Sequence, residues 1–334
     1  MIAIRYSGKK LLRYNDMCRD LQKQIEKWCK KGYIGNRRSR IKMYKKTKEF
    51  FGNLDVIKLA NMSPQQIEDY IDSIERDYPE LVQDRCNKSA NSRARSSNLY
   101  KCLYKAFSNY GYDSNRFPSD ELIDDLGLVV CPYCNRNFIK SIPVRQNRRG
   151  DDVSVKGQLD HFYPRSLYPY LAICKYNLIP SCPSCNGASG KHNGNPRELG
   201  IISPYLLENN NGLKFMMNIT GEGFANMLTC AKAISIDVDC TACPDLANNE
   251  KIFHLKKLYN THTDYAAEIY YKSLICAPSY RKSIEKIMAN NEMNFNMEDF
   301  ERILLSVYTN EDEYHKRPLS KFCTDLAKQN KLIP

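Results

Sequence analysis

Two short cysteine motifs decide the fold of this chain: Cys131-Pro132-Tyr133-Cys134 and Cys182-Pro183-Ser184-Cys185. In each motif two residues separate the cysteines, so one tight turn can present both sulfurs to a single ion. Together the motifs supply four thiolates, the number that a tetrahedral structural zinc takes. The alternative is that the cysteines are unligated and pack as small apolar side chains. Two matched pairs favour a structural zinc site formed by Cys131, Cys134, Cys182 and Cys185.

Between and directly after these motifs lies a second group of residues, Asp160, His161, Asn177 and Asn186. Hydrolysis of a phosphodiester needs a base that activates water and a cation that stabilises the developing charge. Asp160 and the side-chain oxygen of Asn186 are ligands that Mg²⁺ or Mn²⁺ accepts, and an imidazole such as His161 suits the base. Each residue alone has an ordinary structural interpretation; Asn177, for example, is typical of an Asx-turn. Their joint position beside the cysteine pairs indicates an active site.

Three motifs in this part of the chain resemble those of HNH endonucleases with a four-cysteine zinc site: Asp160–Ser166, Asn177–Pro180 and Cys182–Asn186. The resemblance implies an α+β fold with a ββα-metal core, in which a hairpin and a helix grip one divalent ion. It further implies that His161 is the general base and that Asp160 and Asn186 bind the catalytic metal. Asn177 is implied to brace the hairpin loop without taking part in the chemistry.

A narrower resemblance covers Cys131–Ile139, Gln158–Pro169 and Tyr176–Asn186, which look like the HNH nuclease component of Septu-type anti-phage systems, including those associated with retrons. The stretch 253–262 is similar to the helix that follows the core in that group. The implied partner is an ABC/SMC-like ATPase that holds the nuclease in check. The basic N-terminal region departs from the pattern of the group.

Several further residues near the core have less specific roles. Arg165 and Lys191 are candidates for contacts with substrate phosphates, although Lys191 could equally be a solvent-exposed lysine. His192 could be an additional metal ligand. Cys240 and Cys243 form another pair at the same spacing, but no mate lies nearby, so we expect them to pack rather than to bind a second metal.

The positive charge is concentrated at one end of the chain. The net charge is +12, and residues 1–50 contain sixteen Lys and Arg against four Asp and Glu, so the whole excess lies there. A basic segment beside a neutral body indicates a polyanionic ligand or an acidic partner surface. The alternative is a solvated basic helix without a dedicated ligand.

Changes in composition and hydrophobic periodicity divide the chain into three regions. Residues 1–125 are predicted to be basic and mainly helical, 126–200 to form the nuclease core, and 201–334 to contain a short β segment followed by helices. Ser63-Pro64-Gln65-Gln66 predicts a helix start, because Ser63 can cap, Pro64 suits the first position and Gln66 can complete a capping box. Other helices are expected at 11–31, 90–109, from about 249, and at 280–290, 297–307 and 316–330, and a strand at 214–220.

Composition excludes some classes of protein. No apolar run has the roughly 18–20 residues that a membrane span needs, and fourteen cysteines without a signal segment favour metal binding in a cytoplasmic protein over disulfides. The expected function is a metal-dependent endonuclease acting on DNA, with RNA or tRNA left open as the target. The alternative function is a non-catalytic, zinc-containing subunit that binds nucleic acid or acts as an adaptor.

Overall fold

The computed structural model describes residues 1–89, 96–114, 116–140, 157–221, 226–276, 282–283, 286–287 and 296–334, together with the backbone of 142–146 and 152–155. Helices and two-stranded antiparallel hairpins alternate along the chain. The helices are α1 Leu12–Lys31, α2 Lys45–Gly52, α3 Val56–Ala60, α4 Pro64–Asp77, α5 Pro79–Ser89, α6 Asn98–Leu103, α7 Ser119–Leu126, α8 Pro183–Asn186, α9 Pro196–Leu199, α10 Met227–Ala233, α11 Leu246–Phe253, α12 Leu255–Tyr259, α13 Thr263–Ile275, α14 Met297–Leu305 and α15 Ser320–Gln329. The strands are β1 Tyr33–Asn36, β2 Ser39–Lys42, β3 Ile142–Gln146, β4 Asp152–Val155, β5 Gln158–His161, β6 Leu178–Ser181, β7 Lys214–Ile219 and β8 Ile234–Asp239. This mixture of helices and small sheets agrees with the predicted α+β class.

The first helix, α1, is amphipathic and belongs to the core. Its buried face carries Leu21, Ile25 and Trp28, at the helical spacing expected from the sequence. It ends where Gly32 adopts a left-handed conformation with φ of 74°, which glycine accepts without a steric penalty. The basic N-terminal segment therefore does not lie apart from the protein: its apolar side chains pack inside while most of its cations face water.

Helix α4 begins where the sequence predicts, at Pro64 directly after Ser63. The Ser63 side chain accepts a hydrogen bond from the Gln66 amide at 3.3 Å, and the Gln66 side chain accepts one from the Ser63 amide at 2.9 Å. This reciprocal capping satisfies two amides that the first turn leaves without partners. The helix stops at Asp77, ahead of Pro79, because proline disfavours helical geometry in the preceding residue.

Two features of the N-terminal region differ from the prediction of a mainly helical segment. Strands β1 and β2 form a hairpin directly after α1. The helix expected at 90–109 begins at Asn98 and continues as a π-helix over Tyr104–Tyr112, while residues 90–95 lie outside the described residues. Tertiary contacts of the π-helix, described below, explain why local sequence did not indicate it.

Strands β5 and β6 form the hairpin that carries the candidate site. Asp160 lies opposite Ile179 and His161 lies opposite Leu178. The chain then enters α8, which starts at Pro183 inside the second cysteine motif. The succession of two antiparallel strands and a helix places the sequence-predicted residues around one short hairpin.

The C-terminal region contains the expected strand as β7, which pairs antiparallel with β8, followed by helices α11 to α15. Of the helix predicted at 280–290, residues 282–283 and 286–287 are described and are helical, and the rest lies outside the described residues. Buried apolar side chains of residues 1–125, 126–200 and 201–334 join one hydrophobic cluster, so the three regions share a core, and their boundaries stay a prediction. Within the described part of the chain, every helix is too short or too polar to cross a bilayer.

Candidate functional site

The four cysteines of the two motifs meet in the folded chain. Their sulfur atoms all lie within 4.8 Å of one another, and those of Cys134 and Cys182 are 3.9 Å apart. A tetrahedral zinc with Zn–S bonds of about 2.3 Å places its sulfurs about 3.8 Å apart. All four residues are buried, which protects such a site from exchange with solvent. The geometry therefore fits a structural zinc ion bound by Cys131, Cys134, Cys182 and Cys185.

Hydrogen bonding within the cluster favours ionised sulfur at Cys182. Bonds from Cys131 and the other two thiols lower the pKa of Cys182, and the Asn137 amide nitrogen donates to the same sulfur at 3.3 Å. The pKa values of Cys131, mainly through burial, and of Cys185, mainly through hydrogen bonds with the other cysteines, are raised instead, so these thiols ionise only when a metal binds them. Among the described residues, this cluster is the one group of three or more His, Cys, Asp or Glu ligand atoms close enough to share an ion. Cys240 and Cys243 belong to no such group, and their packing role stays a prediction.

Asp160 is buried between two donors. The Tyr133 hydroxyl donates to Asp160 Oδ2 at 2.6 Å, and Lys191 Nζ lies 2.9 Å from Oδ1. Burial, together with the neighbouring carboxylate, raises the pKa of Tyr133 well above its usual value, so the phenol keeps the proton that it donates. Tyr133 stands between the two cysteines of the first motif, so the four-cysteine cluster positions Asp160 through the Tyr133 hydroxyl.

Lys191 is not the solvent-exposed lysine considered above. Its side chain is fully buried, and its ammonium group contacts Asp160, the His161 carbonyl at 2.9 Å and the His192 carbonyl at 3.3 Å. An ammonium group has three protons to donate, and three oxygens surround this one. The structure thus places Lys191 beneath the candidate site, and a contact with phosphate stays a prediction.

The His161 side chain occupies the opposite side of β5 from Asp160, because successive strand residues alternate in direction. Its Nε2 lies 2.9 Å from the Ala172 carbonyl oxygen. A carbonyl can only accept, so Nε2 carries the proton and Nδ1 is left with a lone pair when the ring is neutral. Loss of hydration lowers the pKa of His161 to about 3, with smaller contributions from the nearby Arg165 and Lys191 cations. The neutral, half-buried ring packs edge-on against Tyr112, with 4.4 Å between ring centroids.

Asn177 braces the loop that joins the two strands. Its Oδ1 accepts a hydrogen bond from the Tyr163 amide at 2.7 Å, and its Nδ2 donates to the carbonyls of Tyr163 and Leu171 at 3.1 and 3.0 Å. The side chain is fully buried, so these bonds replace all of its contacts with water. Asn177 therefore fixes the backbone directly after His161 and lies away from solvent and substrate.

Asn186 lies at the C-terminal end of α8 and reaches back to β5. Its Nδ2 donates to Gln158 Oε1 at 2.8 Å, a bond that uses the nitrogen of the carboxamide and not its oxygen. Gln158 and Asp160 are two residues apart on a strand, so they face the same side. Asn186 is thereby placed on the Asp160 side of the hairpin.

The donor set of this face suits a hard divalent cation. Asp160 and Asn186 offer a carboxylate and a carboxamide oxygen, which Mg²⁺ and Mn²⁺ prefer. Each carboxylate oxygen of Asp160 has one of its roughly two lone-pair positions engaged by Tyr133 or Lys191, so acceptor capacity remains. The positive charge of Lys191 competes with a cation, which is the feature of the site that fits a metal least well.

The remaining candidates lie at the edge of the site. Arg165 forms an ion pair with Asp113 at 2.6 Å, and its guanidinium lies 5.2 Å from the centroid of the Tyr112 ring. His192 is exposed and has a positive φ of 47°. Its role as an extra ligand stays a prediction.

Two tyrosines that contact the candidate site were not predicted from the sequence. Tyr133 was given no role of its own within the first cysteine motif, and Tyr112 lies 49 positions before His161 in a region predicted only to be mainly helical. For Tyr133, its position inside a C-x-x-C turn is a signal, because such a turn can hold the hydroxyl near an acidic residue on a neighbouring strand. No local pattern indicates the second, because its position depends on how the π-helix packs.

Comparison with known proteins gives partial similarities. Septu protein PtuB of Bacillus thuringiensis is 36% identical over 66 residues, which are 20% of this chain and 25% of that protein. Protein ea31 of Escherichia phage lambda is 26% identical over 171 residues, half of each chain. The chain thus spans between a quarter and a half of the length of these relatives. No family model and no solved structure matches it. The chain is therefore similar over part of its length to a Septu protein, and it has a buried four-cysteine cluster that can hold zinc.

Proposed function

We propose that this protein is a metal-dependent HNH endonuclease that hydrolyses phosphodiester bonds in nucleic acid, with DNA as the favoured target. The observation that carries the proposal is His161, whose Nε2–H is tied to the Ala172 carbonyl while Nδ1 is left able to accept a proton. This hydrogen bond fixes the ring, and the pKa of about 3 keeps it neutral at pH 7, so Nδ1 is available to accept a proton, although a base with this pKa is weaker than one that titrates near neutrality. The partial similarity to a Septu protein supports a role in anti-phage defence.

The proposed roles follow from the positions of these residues around the hairpin. His161 Nδ1 takes a proton from the attacking water, and Asp160 and Asn186 would hold a divalent ion. Such an ion, when bound, stabilises negative charge on the phosphate and the leaving oxygen. Asn177 positions the loop after His161, and Arg165 at the edge of the site contacts substrate phosphate. The zinc cluster holds Tyr133 against Asp160 and takes no part in the reaction.

Two parts of the proposal rest on the motif resemblance. The order β5, β6, α8 supports a ββα-metal core, although α8 has only four residues. Control by an ABC/SMC-like ATPase is inferred from the resemblance to the nuclease component of Septu-type and retron-associated systems.

The buried ion pair between Lys191 and Asp160 favours a second candidate function. A carboxylate already neutralised by an ammonium group attracts a divalent cation less strongly. A non-catalytic, zinc-containing subunit that binds nucleic acid or acts as an adaptor needs no such cation. The two functions differ in one measurable respect, which is strand scission dependent on a divalent metal.

The test compares His161→Asn with wild-type protein on labelled plasmid DNA and total RNA, in Mg²⁺, Mn²⁺ or EDTA, with and without any co-encoded ATPase. Asparagine cannot act as a base, and its side chain ends one atom short of the position of Nε2, so it also gives up the hydrogen bond to the Ala172 carbonyl. We expect cleavage by the wild type with metal, and a loss of about 10²- to 10⁴-fold in the variant, the usual contribution of a general base.

His254→Asn is the matched control, because His254 is exposed, lies outside the site and has a positive φ of 52° that asparagine tolerates. It should cleave like the wild type. Cleavage by His161→Asn at the wild-type rate would refute the assigned mechanism. Zinc-loaded wild-type protein that binds nucleic acid but cuts none of it under any of these conditions would favour the non-catalytic function.

A further inference from the structure

A cleft of about 410 Å³ opens beside the segment that follows His161. This volume is within the range of roughly 300–1,000 Å³ that is typical of ligand sites. Its lining contains three lysines and two tyrosines but no acidic side chain among the described residues. The lining residues are Ile41, Lys88, Tyr100, Lys101, Tyr104, Lys105, Asn109 and Ser166.

The two tyrosines form a fixed aromatic surface. The rings of Tyr100 and Tyr104 stack with 6.0 Å between centroids and 26° between planes. The Tyr100 hydroxyl donates to the Ser166 carbonyl at 2.9 Å, which ties the stack to the hairpin loop of the candidate site. Lys88 Nζ lies 5.3 Å from the centroid of the Tyr100 ring. Tyr104 is half-buried and is thus the accessible member of the stack.

The lysines divide into a structural one and two available ones. Lys105 is buried, and its ammonium group donates to the carbonyl and the hydroxyl of Ser39, so it fastens the β1–β2 hairpin to the cleft. Lys88 and Lys101 are exposed at the cleft and keep their charges for a ligand. A surface that combines free cations with an aromatic stack is complementary to phosphate and base together.

The cleft and the candidate site share an element. The π-helix begins at Tyr104 in the cleft and ends at Tyr112, which packs against His161. π-Helical segments are rare and are frequently found at functional sites. A ligand held on Tyr104 is therefore bound by the same rigid segment that contacts the proposed base.

We infer that this cleft binds an unpaired nucleotide of the substrate strand, with its base on the Tyr100–Tyr104 surface and its phosphates at Lys88 and Lys101. The inference rests on the proposed function. A base within a duplex has both faces covered by its neighbours, so an aromatic stack recessed in a cleft serves a base that is outside the helix. The cleft thereby selects single-stranded or locally opened nucleic acid.

The test measures binding without cleavage. Fluorescence anisotropy in EDTA gives the affinity of the zinc-loaded protein for a labelled single-stranded oligonucleotide and for the corresponding blunt duplex. We expect tighter binding of the single strand. Tyr104→Ala should weaken it about 5- to 150-fold, the contribution of one base–aromatic stack, and Tyr104→Phe should restore it. Lys101→Gln should reduce the dependence of affinity on salt.

Controls use residues of the same type outside the cleft. Tyr265→Ala and Lys58→Gln remove an exposed tyrosine and an exposed lysine and should leave binding unchanged. If Tyr104→Ala does not fold, the Lys101→Gln and Lys58→Gln pair still decides the matter: equal salt dependence in the two variants overturns the inference.

The outcomes separate this inference from the proposed function. Folded Tyr104→Ala that binds the single strand as tightly as the wild type overturns the cleft assignment, and the nuclease proposal stands if the wild type still cleaves. Displacement of the oligonucleotide by polyglutamate from wild type and Tyr104→Ala alike would show that binding depends on charge and not on the aromatic stack, and it also overturns the inference. Failure of the wild type to bind or cut any nucleic acid contradicts the nuclease proposal as well.

Discussion

At the scale of single residues, the ion pair between Asp160 and Lys191 neutralises two buried charges in the site. Both side chains are almost completely removed from water. Removing one member of such a pair leaves the other as an uncompensated buried charge. We therefore expect Lys191→Met to lower the free energy of unfolding by about 3–5 kcal/mol in urea denaturation, and Asp160→Asn combined with Lys191→Met to lower it less.

An exposed ion pair supplies the control for this experiment. Arg13 and Asp120 lie 2.7 Å apart with more than half of each side chain exposed. Arg13→Met should cost less than about 1 kcal/mol, since water already screens that pair. If Lys191→Met is no more costly than Arg13→Met, water reaches Asp160 and the pair is not buried in solution.

These residues also show what sequence can and cannot indicate. The zinc ligands were predictable because each pair is local and its spacing fits one turn of chain. The partner of Lys191 lies 31 positions away and depends on the path of the backbone after α8. The spacing of residues carries no information about that path. For this reason the sequence suggested either a phosphate contact or an exposed position for Lys191, and neither interpretation included the buried position that the structure shows.

At the scale of elements, the loop between β5 and β6 depends on the Asn177 carboxamide. Asn177→Asp keeps the shape of the side chain but removes both donated hydrogen bonds and adds a buried charge. We expect a loss of about 2–4 kcal/mol in the free energy of unfolding, because two buried carbonyls lose their donor. Nuclease activity should fall in the fraction that stays folded, since this loop follows His161.

Asn61→Asp is the matched control for this prediction. Asn61 Nδ2 donates to the Ile57 carbonyl at 3.0 Å, but at the solvent-exposed end of α3, where water can replace the bond. Its loss should cost well under about 1 kcal/mol. Equal effects of the two substitutions, measured by urea denaturation, would exclude a bracing role for Asn177.

Element boundaries were predictable where the signal is local. Ser63, Gln66 and Pro79 act on their own neighbourhood, so the limits of α4 follow from sequence. The π-helix is different, because its last turn packs closely on a distant segment: a Cβ on Gly111 would lie 2.7 Å from Ile173 Cγ2. That contact is set by the tertiary fold, and an α-helical prediction for this region was correct only as far as Leu103.

At the scale of the whole molecule, the sequence predicts where the positive charge lies along the chain but not how the charged segment packs against the rest of the protein. Sequence located the basic excess in residues 1–50 but could not show that α1 contributes buried side chains to the common core. Deleting residues 1–50 would therefore remove part of the core together with the charge. Substitution of exposed cations alone is the appropriate way to test the role of this segment.

The four-cysteine cluster is connected to distant parts of the chain by hydrogen bonds to its backbone. The Ile2 amide donates to the Pro132 carbonyl at 2.8 Å, and the Tyr259 hydroxyl donates to the Cys134 carbonyl at 2.6 Å. The Leu319 amide, at the start of α15, donates to the Asn135 carbonyl at 2.7 Å. The first cysteine motif and the residue after it are therefore a common attachment point for the N-terminal segment, helix α12 and helix α15.

Loss of zinc should accordingly affect regions far from the cysteines. Structural zinc contributes about 10–16 kcal/mol of apparent binding free energy in small zinc-binding peptides, which is comparable with the roughly 5–15 kcal/mol that stabilises a typical folded protein. We expect elemental analysis to find one zinc ion per chain in the wild type and almost none in Cys134→Ser. The rate of hydrogen exchange in Cys134→Ser should then rise at the amides of Ile2 and Leu319.

Cys102→Ser is the control for this experiment, because it changes a buried cysteine outside the cluster. It should keep its zinc and the protection of both amides. Retained zinc in Cys134→Ser, or exchange confined to the cysteine motifs, would show that the cluster does not hold these segments together.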